Sequence, residues 1–138
     1  MRKALVFAAI FGLGLAIFVG YTWRSSSQAA QVCDTWADET SERIGIARQL
    51  IYPIERQEQT TGTVEGDSQA LYQLAQEQIG SDPPDEAFNL SGDLAEAFSA
   101  ASLALQGGGG ASPDAQIAFA KGIIYNADLR IAYLVDGC

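Results

Sequence analysis

"SPDAQIAFAKGIIYNADLRIAYLVDGC", residues Ser112–Cys138, is the stretch whose reading decides the fold. Ser112 suits a helix N-cap, Pro113 the first helical position, and Asp114 the positive end of the helix dipole. Beyond them Ile117, Ala120, Ile124, Ala127, Ile131, Leu134 and Cys138 recur at alternating steps of three and four. That is the period of a helix with one buried face. Gly137 ends it and leaves Cys138 just past the cap.

Working back from this helix, the same period recurs. Asp93 and Glu96 resemble a capping box opening a third helix, with Leu94, Ala97, Phe98, Ala101 and Leu105 inward and Gly107–Gly110 after it. "SDPPDEAFNLSG" before it reads as a loop by its proline pair. A second helix is expected from Asp67 or Ser68 as cap to Gly80, with Leu71, Leu74, Ala75 and Ile79 inward. The first carries Cys33, Trp36, Thr40, Ile44, Ala47, Ile51 and Ile54 on one face, and Pro53 either ends it near Tyr52 or kinks it. No stretch alternates as a strand does.

Four such helices pack up-down-up-down. The start of the first and the end of the fourth then share one end of the bundle. Cys33 and Cys138, the only two cysteines, stand at those positions. They are expected to form an intramolecular disulfide, which an oxidising compartment outside the cytoplasm permits.

The N-terminal segment points to that compartment. Ala4–Trp23 carries no charge and comes after Arg2 and Lys3, with Tyr21 and Trp23 at its far edge. As a helix it reaches roughly 30 Å, one hydrocarbon core. The positive-inside rule keeps Met1–Lys3 cytoplasmic and places the rest across the bilayer. A cleaved signal peptide ending at Ser27-Gln28-Ala29 is the alternative, but its apolar core is normally ~7–15 residues, so a retained anchor is the better reading. Within the span Ala4, Ala8, Gly12, Ala16 and Gly20 fall at four-residue intervals. Such a ridge of small side chains suits close packing on another membrane helix, of this chain or of another protein.

The expected organisation is therefore all-α: an anchor at 1–24, a polar link at 25–31, and an acidic extracytoplasmic bundle at 32–138. From Ser25 on the chain has five basic and seventeen acidic residues, a net −12, which opposes nucleic acid and anionic lipid headgroups as partners. Histidine is absent, so the usual neutral-pH base and metal ligand are missing.

No other stretch supplies a catalytic set. The glycine run before Ser112 comes after a helix and lacks the Lys-Ser/Thr of a phosphate loop. Asp82, Asp85 and Glu86 lack calcium-loop spacing. Asp34, Asp38 and Glu42 on one helix face read as solvated. Asn89-Leu90-Ser91 matches a glycosylation acceptor, a pattern too common to weigh. Cys33 has no base to activate it, and Lys121 reads as a surface lysine whose stem snorkels. No cofactor is implied. The function expected is that of a non-enzymatic accessory or interaction protein docking on a membrane partner. The alternatives are a ligand-binding or sensory bundle and, if the leader is removed, a small secreted helical protein.

Overall fold

The computed structural model describes residues 30–53, 63–108 and 110–137, and every structural statement below concerns these. The expected anchor with its ridge, and Cys138, lie outside them. Helix α1 occupies 30–53, so residues 30 and 31 of the expected link are already helical. Helix α2 is Val64–Ile79, a 3₁₀ turn spans Asp85–Ala87, α3 is Phe88–Gln106, and α4 is Pro113–Gly137. The described residues contain helices and no strand.

Each helix runs against its neighbour. Trp36 Nε1 near the start of α1 donates to Ser81 Oγ just past the end of α2, at 3.3 Å. Ser68 at the start of α2 meets Ser102 near the end of α3, and Gln78 meets Ser91 at their other ends. Asp93, early in α3, accepts from Arg130, late in α4, at 3.0 Å. Arg48 of α1 closes the ring on α4: its guanidinium bonds Asp128 and donates to the carbonyls of Ile124 and Tyr125, both at 3.2 Å. The bundle is up-down-up-down.

The inward stripes form a single core. Trp36, Ile44, Ala47 and Ile51 of α1 and Leu71, Leu74 and Ala75 of α2 meet Leu90, Leu94, Ala97, Phe98 and Ala101 of α3. Ala120, Ile124, Ala127 and Ile131 of α4 complete it. Burial of these apolar faces is the main stabilising term. The repeated alanines let the helices approach closely.

Several boundaries differ from expectation, each for a local reason. Helix α2 begins four or five residues early: Thr63 caps it by accepting from Gly66 N at 3.0 Å. Ser68 is buried instead, its hydroxyl engaged with α3. Helix α3 begins at Phe88 and not near Asp93. Asp85 and Glu86 occupy the 3₁₀ turn ahead of it, where their charge complements the positive helix end, and Ala87 N donates to Pro84 O at 2.8 Å. Asp93, released from capping, serves the pair with Arg130. Ile79, expected inward, is 67% exposed, while Gln78 turns inward and is satisfied there.

Two ends are as read. Ser112 Oγ accepts from Ala115 N at 3.3 Å at the head of α4; at its other end Gly137 is helical and is the last described residue. Gly107 takes φ 66° after α3, the left-handed conformation that favours glycine. Its neighbour Gly108 N donates to Leu103 O at 3.1 Å, closing the helix end. Pro53 is the last described residue of α1 and is helical; Ile54, expected on the inner face, lies outside the described residues.

Candidate functional surfaces

A polar ladder lies where α1, α2 and α3 meet. Gln78 Nε2 donates to Ser91 Oγ at 2.8 Å, and Gln78 Oε1 accepts from Arg43 Nη1 at 3.1 Å. Ser81 Oγ donates to Gln78 O at 2.7 Å and accepts from Trp36. Every major polar group of Gln78 is thereby satisfied, which lets an amide replace Ile79 on the inner face. Arg43 also bridges Glu39 at 3.4 Å and Glu77 at 3.7 Å, so the guanidinium ties α1 to α2. A partly satisfied network of this kind would cost stability; a satisfied one fixes helix register.

Around this frame the surface offers shallow clefts. One, about 540 Å³, is lined by Gln31, Val32, Thr35, Trp36, Glu39 and Asp82 at the start of α1. Another, about 490 Å³, runs along α3 over Gly92, Ala95, Ser99 and Leu103 to Gln116. Gln116 is 8% exposed, and its buried Oε1 has no hydrogen-bond partner. Both clefts open to solvent, and neither gathers an acid, a base and a nucleophile.

The residues singled out in the sequence are spread over the bundle. Cys33 is buried in the first turns of α1, next to Trp36 on the core face. Its expected partner Cys138, and the ridge Ala4, Ala8, Gly12, Ala16 and Gly20, lie outside the described residues. Asp34, Asp38 and Glu42 are exposed on α1. Asp82, Asp85 and Glu86 are exposed too, and no three carboxylate or thiol groups converge on a metal position among the described residues. Asn89 is exposed, but Ser91 of the same tripeptide is buried against Gln78. Lys121 lies half-buried with its Nζ 5.8 Å from the Tyr125 ring centroid; Arg48 approaches the same ring at 5.5 Å. Two cations thus share one aromatic face region. None of the described helices is long and apolar enough to cross a membrane.

Sequence reading of α4 tracks its inner stripe and passes over the outer one. Phe119, Gly122, Asn126, Leu129 and Tyr133 are all exposed on that outer side, Leu129 at 75% and Tyr133 at 82%. The signal was available, since these positions also step by three and four. A bundle helix needs only one such stripe for its core, so the second is extra.

No family model matches the chain, and neither the curated proteins nor the solved structures give a match.

Proposed function

We propose that this protein is a membrane-anchored, extracytoplasmic helical accessory protein that works by docking on a membrane partner and carries out no chemistry of its own. The reading rests first on the uncharged run Ala4–Trp23 behind Arg2 and Lys3. Long enough to span, and longer than a cleaved leader's core, it supports a retained anchor with the acidic bundle outside the cytoplasm. The clefts and exposed apolar side chains of the bundle suit contact with another protein better than turnover of a substrate.

The observation that carries the bundle's part of this reading is its register. Trp36 is level with Ser81, Gln78 with Ser91, and Asp93 with Arg130. These pairs put the end of α4 and the start of α1 at the same end of the bundle. The residue after Gly137 is Cys138. A Cys33–Cys138 disulfide then closes a loop of about 100 residues, worth up to ~4–5 kcal/mol in the chain-entropy model. It pins the end of α4 to the point where the chain leaves the membrane.

The test is a reporter active only outside the cytoplasm, fused after Cys138, with the intact mass of the purified chain measured before and after reduction. Reporter activity, a mass retaining Met1–Trp23 and a gain of two hydrogens on reduction support the reading. A mass beginning at Ala30 replaces the anchor by a signal peptide. Free thiols in the non-reduced chain remove the disulfide.

A further inference from the structure

We infer that the outer face of α4 is a self-association surface, on which a second copy of this chain packs its own α4 in parallel.

Phe119, Gly122, Asn126, Leu129 and Tyr133 are spaced 3-4-3-4, the heptad seam of a two-helix coil. In that seam Phe119, Asn126 and Tyr133 fall at one core position and Gly122 and Leu129 at the other. A single asparagine at such a position is the best-attested device for fixing register and two-strandedness. Asn126 is exposed and donates to Gly122 O at 2.8 Å, which leaves amide capacity for a matching asparagine across a two-fold axis.

Gly122 is the second observation. Glycine inside a helix costs stability, and a methyl group built there meets nothing within 4 Å. Nothing in the monomer requires it. On the outer seam it is a hole beside large side chains, into which a partner's aromatic knob can fit.

Charge is compatible with a second copy over most of the seam. Along α4 beyond Asp114 the charged residues are Lys121, Asp128, Arg130 and Asp136. Asp128 is held by Arg48, Arg130 by Asp93, and Lys121 lies over Tyr125. From Phe119 to Tyr133 the seam is uncharged on a domain of net −12, with Asp136 bounding it at the next step, so two copies can meet along that stretch with less of the repulsion other faces would impose. The most exposed apolar residues, Leu129 and Tyr133, lie toward the end of the bundle where α1 begins. Two copies held by spans of one orientation would meet at that end first and with α4 helices parallel, an arrangement that rests on the anchor proposed above. From Phe119 to Tyr133 the seam is ~21 Å long. It would bury an area at the low end for a specific interface, which co-anchoring in one membrane offsets by raising effective concentration.

The test uses the full chain in native membranes, with Asn126→Cys and Tyr133→Cys cross-linked by a mild oxidant. Glu42→Cys and Glu96→Cys, exposed on α1 and α3, serve as controls. Self-cross-linking at 126 and 133, several-fold above the controls and lost when Leu129→Glu is added, supports the parallel seam. Yields equal to the controls, or unchanged by Leu129→Glu, overturn it. Cross-linking at 126 without 133 marks an antiparallel contact and also overturns it. Circular dichroism of each variant checks that the helices persist. The intact mass of the same samples reports separately whether the anchor is retained, so a failed anchor and a failed seam give different results.

Discussion

Ser68 of α2 and Ser102 of α3 hold each other across the helix pair. Their hydroxyls are 3.0 Å apart, Ser102 Oγ donates to Ser68 O at 2.8 Å, and Ser68 Oγ reaches Ser102 O at 3.1 Å. Gln106 Nε2 adds a third donor onto Ser68 Oγ at 2.7 Å. Both serines are buried, so no bulk water can replace a lost partner.

Removing one of the two should cost more than half of removing both. Ser68→Ala removes one contact of the buried Ser102 and returns the exposed Gln106 amide to solvent, and is expected to lower stability by about 1–2 kcal/mol. Ser68→Ala with Ser102→Ala should cost less than the two single changes summed, by at least ~0.5 kcal/mol. Urea denaturation of the four-member cycle measures this. Strict additivity would mean that the pair is a contact without coupling.

Phe98 is the largest fully buried side chain and sits among leucines, isoleucines and alanines from the helices. Phe98→Ala should lower stability by about 3–5 kcal/mol, because the surrounding helices relax only partly into the space. Phe88→Ala, by contrast, changes a side chain that is 71% exposed and should stay within ~0.5 kcal/mol. Thermal unfolding of both variants makes the comparison.

Two helical glycines should respond in opposite ways to alanine. At Gly45 a β-carbon meets nothing within 4 Å, so Gly45→Ala should add about 0.5–1 kcal/mol through backbone entropy. At Gly66 it would stand 3.0 Å from Thr63 Oγ1, the atom that caps α2. Gly66→Ala should therefore gain less than Gly45→Ala or lose stability outright. A larger gain at Gly66 would remove Thr63 from the capping role.

If Cys33 is bonded to Cys138, Cys138→Ser should lower stability by about 2–5 kcal/mol and leave Cys33 open to alkylation in the unfolded chain. The same loss should appear in the unsubstituted chain on reduction. A variant as stable as the parent would separate the bond from the fold.

Helix number, the antiparallel order and most of the core were legible because periodicity survives without any knowledge of partners. Trp36, Ile44, Leu71, Phe98, Ile124 and Ile131 are buried where their spacing puts them. The starts of α2 and α3 were not legible, for a common reason. Thr63, Asp67 and Ser68 are all competent caps by residue type, and only the position of Ser102 decides which of them is freed for the interior. Asp93 is a competent cap as well, and only Arg130, 37 residues further along the chain, draws it into another role. The exchange of Ile79 for Gln78 belongs to the same class: an amide goes inward because Arg43, Ser81 and Ser91 arrive from elsewhere to receive it. Periodicity reports the apolar part of a core. The polar part is written in pairs, and single sequences do not show pairs.

The seam at Arg48 has a consequence in time. Contacts between α2 and α3 and between α3 and α4 join neighbours along the chain, whereas Arg48 and Asp128 are 80 residues apart. In the reduced chain, closing that distance costs loop entropy that the local hairpins avoid, so there the α1–α4 contact should form late, after the folding barrier is crossed. A weakened seam would then leave the folding rate nearly unchanged and appear as faster unfolding. In Arg48→Met, with both chains reduced, the folding arm of a denaturant chevron should overlay the parent's, while the unfolding arm rises. The guanidinium would act as a latch on the finished bundle and have little part in building it.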